Sequence, residues 1–134
     1  MQVIKIYLMA FFTFLVIDII WLVLIAKDMY KDQLGFIMAK SPNWTAAILF
    51  YLLYIAGLVY FVISPAIATG DWQLALKNGV LFGFITYATY DLTNLATLEN
   101  WPIKITIIDL IWGSFVGGSV STITYFLSKL FSIR

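Results

Sequence analysis

Apolar residues fall into four long runs separated by short polar breaks, over about 6–26, 45–67, 75–98 and 103–127. Roughly 20 mostly apolar residues suffice for a helix to cross a bilayer, so each run reads as one transmembrane span. The first run is 21 residues long. That exceeds the roughly 7–15 residues of a signal-peptide core, and no small-x-small site closes it, so it is expected to remain as a helix. The longest polar stretch is KDMYKDQLGFIMAKSPNW, over 27–44. Within it Tyr30, Leu34, Ile37 and Met38 recur at helical spacing with charges between them, the pattern of a short helix lying in the membrane interface. Pro42 and Asn43 end that helix. Gly70, Asp71, Trp72 and Gln73 make one further turn, and Asn100, Trp101 and Pro102 another. The expectation is an all-α integral membrane protein with one domain, 1–134. It is a four-transmembrane antiparallel helix bundle with a short interfacial helix between helices 1 and 2. Trp44, Trp72 and Trp101 stand at span ends and are expected to anchor the interfaces.

Composition agrees with lipid as the solvent. Of 134 residues, 63% are hydrophobic and 11% charged, against roughly 45–50% and about 25% in soluble domains. The mean hydropathy is +0.97. A soluble domain of this size has too much surface to hide that many apolar side chains, which excludes a soluble enzyme, a nucleic-acid binder, a disordered tail and a coiled coil. Cysteine and histidine are both absent. Disulfides, thiolate metal sites, cysteine nucleophiles and the usual general base are thereby removed, and neither a cofactor nor a metal is expected. The net charge of +1 offers no field for nucleic acid. With an even number of spans, Lys5, Lys77, Lys129 and Arg134 lie on one side and Lys27, Lys31, Lys40 and Lys104 on the other. The positive-inside rule is thus balanced, and acidic loop residues tip the expectation towards cytoplasmic termini.

Three aspartates stand inside the spans: Asp18, Asp91 and Asp109. A charged side chain at a helix centre costs roughly 2.5–3.5 kcal/mol, so such residues turn inward and find partners. Helical rise places all three ~3–9 Å from the midplane, towards the side of the first and third connections. Asp18 and Trp21 are spaced i, i+3, as are Asp109 and Trp112, so each pair shares a face. Because the two helices are antiparallel, Trp21 falls near the depth of Asp109 and Trp112 near that of Asp18. Each indole N–H is expected to donate to the carboxylate of the other helix. The third span adds Tyr87, Tyr90, Asp91 and Asn94 on one stripe. Asp91 has no tryptophan partner and is expected to face an opening. The expected ligand-binding set is therefore Asp91, Asn94, Tyr90, Tyr87, Asp18, Asp109, Trp21 and Trp112. Gly79 with Gly83, and Gly113 with Gly117, form small-xxx-small pairs expected to pack within the chain.

The run from Tyr87 to Pro102, YATYDLTNLATLENWP, is distinctive. Together with Asp109-x-x-Trp112-Gly113, Asp18-x-x-Trp21 and Pro42-Asn43-Trp44, it resembles a bacterial family of four-helix predicted membrane proteins, domain-of-unknown-function family 2177. The resemblance covers nearly the whole chain and implies four helices in a bacterial inner membrane. It implies no activity. Three functions stay open. One is binding or transport of a small polar or cationic molecule, or of a lipid headgroup, at the aspartate layer. Another is a small lipid-modifying enzyme with Asp91 as base, Tyr90 or Asn94 polarising the substrate, and a divalent ion held by oxygens. No catalytic motif is recognisable for it. The third is an accessory subunit whose polar layer only orders the helices. Membrane lipids are the expected partners, with a second copy of the chain as a further one.

Overall fold

A computed structural model describes residues 2–131. Arg134, counted above in the charge balance, lies outside them. Among the described residues there are five helical stretches: α1 (Gln2–Ile25), α2 (Lys27–Leu34), α3 (Trp44–Thr69), α4 (Trp72–Thr97) and α5 (Ile103–Leu130). The protein is all-α. Four of the stretches are long, and α2 is the short helix between the first two long ones.

The helix ends follow from local chemistry. Asn43 caps α3 by accepting the backbone N–H of Ala46 at 3.2 Å, and Asp71 caps α4 by accepting that of Gln73 at 2.9 Å. Gly70 closes α3 in the left-handed region, with φ of 71°, where a side chain would be strained. Two π-helical turns interrupt the long helices, at Ile20–Ile25 and Val59–Ile63. In the first, the Ala26 N–H reaches the Trp21 carbonyl at 2.7 Å. The second precedes Pro65, which has no N–H to give and crowds the preceding turn, so the wider turn lets α3 continue past it.

α5 is the centre of the packing. Its Gly113 and Gly117 meet Gly79 and Gly83 of α4 at backbone distance. A Cβ on Gly83 would fall 1.9 Å from the Gly113 carbonyl oxygen, and one on Gly117 would fall 2.2 Å from that of Gly79. The glycine pairs therefore serve contact within the chain. On its other side α5 joins a core with α1 and α3, made of Ile6, Phe14, Ile55, Leu58, Val116 and Val120. Leu24, Tyr60, Ile111 and Leu130 point outward, each at least two-thirds exposed. An apolar exterior of this kind is what lipid solvates and water does not.

α1, α3 and α5 are long and apolar enough to cross a membrane. α4 matches them in length but carries Lys77, Asn78, Asp91 and Asn94 among its apolar residues. Of the three tryptophans expected to anchor the interfaces, Trp44 and Trp72 are exposed and Trp101 is not. Trp101 is buried, with its indole N–H donated to Thr106 Oγ1 at 3.0 Å and its ring at 5.9 Å, edge-on, from that of Tyr90. The turn before α5 folds it inward, where Thr106 supplies the acceptor that a buried indole needs.

Candidate functional site, an aromatic and carboxylate cleft

Two adjoining cavities lie between the helices at the α2 end of the molecule. One, of about 320 Å³, is lined by Phe50, Thr86, Tyr87, Tyr90 and Asp109. The other, of about 460 Å³, shares Phe50, Tyr87, Tyr90 and Asp109 and adds Asp18, Trp21, Tyr30, Tyr51 and Trp112, with Leu34 and Met38 among its apolar walls. The shared lining makes them one cleft. Its walls come from α1, α3, α4 and α5, and α2 with the residues after it closes one side.

Two carboxylates face this cleft, and each is held by a tyrosine. Asp18 on α1 accepts the phenol O–H of Tyr51 on α3 at 3.0 Å. Asp109 on α5 accepts the O–H of Tyr30 on α2, and the Tyr30 oxygen in turn accepts the indole N–H of Trp21 at 3.2 Å. Burial, and then the adjoining Asp109 carboxylate, push the Tyr30 phenol well above its usual range. It therefore remains a donor at any working pH. Each aspartate is less than a tenth exposed, so these are hydrogen bonds out of bulk water.

The expected reciprocal pairing of Asp18 with Trp112 and of Asp109 with Trp21 is not the arrangement found. Trp21 reaches Asp109 only through Tyr30. Trp112 does not donate to Asp18; its ring stacks on that of Trp21, with centroids 4.4 Å apart and planes 8° from parallel. Two causes are visible. The π-turn beginning at Ile20 shifts the face that Trp21 presents relative to Asp18. Tyrosines from α2 and α3 then occupy the carboxylates, leaving the two indoles to face each other.

Asp91 departs further from expectation. It is fully buried, lines neither cavity, and has both carboxylate oxygens without a hydrogen-bond donor. Its charged neighbour is Asp109, on the adjoining face of α5. The opening expected beside Asp91 lies instead beside Asp109, because the close glycine contact of α4 with α5 buries Asp91 against its neighbour. The three aspartates do not converge on one point: among the described residues no group of three acidic side chains could hold a metal ion. Of the eight residues expected at the site, Tyr87, Tyr90, Asp18, Asp109, Trp21 and Trp112 line the cleft. Asp91 backs it, and Asn94 stands beside Tyr90 without lining it.

Sequence reasoning missed Phe50, Tyr51 and the reach of Tyr30 into the site. A signal existed for two of them. Tyr51 stands ~7.5 Å from the middle of its span on the α2 side, inside the ~3–9 Å band of the aspartates by the same ~1.5 Å rise. Tyr30 lies on the apolar stripe of the interfacial helix, the stripe that must face the protein or the membrane.

Fold and composition together define an all-helical membrane protein. The chain belongs to the family described as predicted membrane protein (DUF2177), whose model matches residues 3–126. No curated protein and no solved structure matches it.

Proposed function

We propose that the cleft binds the ammonium head of a small amphipathic cation or of a lipid, with the apolar part of the ligand in the surrounding hydrocarbon. The single observation that carries this reading is the pairing of two buried carboxylates, Asp18 and Asp109, with aromatic side chains in one otherwise apolar cavity. A cation near an aromatic face gains roughly 0.5–2 kcal/mol, the upper end when desolvated. A carboxylate in the same cavity attracts positive charge and repels anions. The tyrosine donors hold both carboxylates in place before any ligand arrives, which lowers the ordering cost of binding. Leu34 and Met38 on the α2 side, with Leu22 and Ala47, give the cleft an apolar margin suited to an acyl or alkyl chain.

On this reading α4 crosses the membrane beside α5, the protein resides in a bacterial inner membrane, and its termini are cytoplasmic. The interfacial pattern of α2 supports access from the headgroup level. The test is equilibrium dialysis of the purified protein in a non-ionic detergent against amphiphiles with the same ten-carbon chain. Decyltrimethylammonium should bind saturably, and decyl sulfate and decyl maltoside should not. Equal uptake of all three would reduce the cleft to a nonspecific apolar surface and defeat the proposal.

A further inference from the structure

Asp91 is the one carboxyl group of the layer with nothing to hold its charge. It is fully buried, and neither oxygen receives a hydrogen bond. The charged and titratable groups around it are Asp109 on α5, Tyr90 on its own helix and Tyr30 on α2. None is a cation. An ionised carboxylate so placed is strongly disfavoured, because it has lost water and gained neither donor nor counter-ion. Asp109 differs in two ways: it faces the cleft and it accepts the Tyr30 O–H. Hydrogen bonding to the charged form favours that form.

Two ionised carboxylates are acceptors only and cannot bond each other. With one proton the pair becomes a donor and an acceptor, and forms the short O–H···O⁻ bond that is among the stronger kinds in proteins. We propose that Asp91 holds this proton and donates it to Asp109, which fixes a single negative charge on the Asp109 carboxylate facing the cleft. Asp91 is then a positioning residue. It touches no ligand, and together with Tyr30 it clamps Asp109 from two sides. The consequence for affinity rests on the cleft being a cation site; the proton assignment does not.

The substitutions that separate these roles are Asp91→Asn and Asp91→Leu. An asparagine amide keeps a donor towards Asp109, and a leucine does not. Infrared difference spectra of the full chain in nanodiscs, recorded in H₂O and in D₂O, should show a protonated-carboxyl C=O band in the wild type. Asp91→Asn should abolish that band while leaving decyltrimethylammonium affinity within about twofold. Asp91→Leu should lower the affinity about tenfold. Absence of the band in the wild type, or its survival in Asp91→Asn, overturns the proton assignment. So does a loss of affinity in Asp91→Asn as large as that of Asp109→Asn. Should Asp91→Leu fail to fold, the spectrum of Asp91→Asn still decides. If the band behaves as expected but the wild type binds no cation, the proton assignment holds and the cleft reading falls.

Discussion

Tyr30 shows at the scale of one residue how the site is held. Its hydroxyl donates to Asp109 and accepts from Trp21, so one oxygen serves a buried carboxylate and a half-buried indole from two other helices. Tyr30→Phe removes only that oxygen, so the Trp21 indole loses its acceptor and Asp109 loses one of its donors, at a cost of roughly 1–3 kcal/mol in all. The variant should fold and unfold at lower temperature in detergent, and an unchanged midpoint would mean that water replaces the hydroxyl. Trp21→Phe removes a single bond and should cost less, with partial loss of the stack on Trp112 added. At this scale the sequence was informative about depth and poor about partners. The spacing of Asp18, Trp21, Asp109 and Trp112 places them in one layer, and they are found around one cleft. Who donates to whom was not legible, because it depends on helix rotation, and the π-turn after Ile19 changes that rotation without a mark in the residue pattern. Nor did the spacing show that Asp91 turns to the back of the layer, since its neighbours on α5 are set by the approach of two helices.

Among the elements, the contact of α4 with α5 is the most sharply specified. Gly83→Ala would put a methyl group 1.9 Å from a backbone oxygen, and a helix backbone cannot yield locally as a flexible side chain can. We expect destabilisation of about 1–3 kcal/mol, read as a lowered unfolding midpoint in detergent. Gly70→Ala, which meets nothing within 4 Å, should cost less and only through its left-handed backbone. Because α4 also carries Tyr87 and Tyr90, spreading it from α5 should loosen the cleft, so Gly83→Ala should weaken cation binding as well as stability. Helices of this length were legible because an apolar run in a hydrophobic chain has few alternatives in lipid. The interruption of α3 was half legible. Pro65 marks a lost hydrogen bond, but its repair by a π-turn that carries the helix on to Thr69 comes from packing.

For the whole molecule, the proposed crossing of α4 beside α5 makes four crossings and would put the two ends on one face. The absence of cysteine makes this easy to test. Single cysteines in place of Lys5, Asp71 and Lys129 should react with an impermeant maleimide from one side of a sealed vesicle, and one in place of Lys31 from the other. Labelling of positions 5 and 129 from opposite sides would mean an odd number of crossings, with α4 lying outside the bilayer. Composition decided the class of molecule, and the depth of the aspartates found the end of the bundle where the cleft lies. The residues that line the cleft are spread over five helical stretches that no local pattern joins. Whether buried carboxylates make the cleft a cation site is decided by titrating wild type, Asp109→Asn and Asp18→Asn with decyltrimethylammonium in a calorimeter at one pH and ionic strength. Removing either charge should weaken binding at least tenfold, about 1.4 kcal/mol, with the fold intact by circular dichroism. Affinity unchanged in both folded variants would contradict the account.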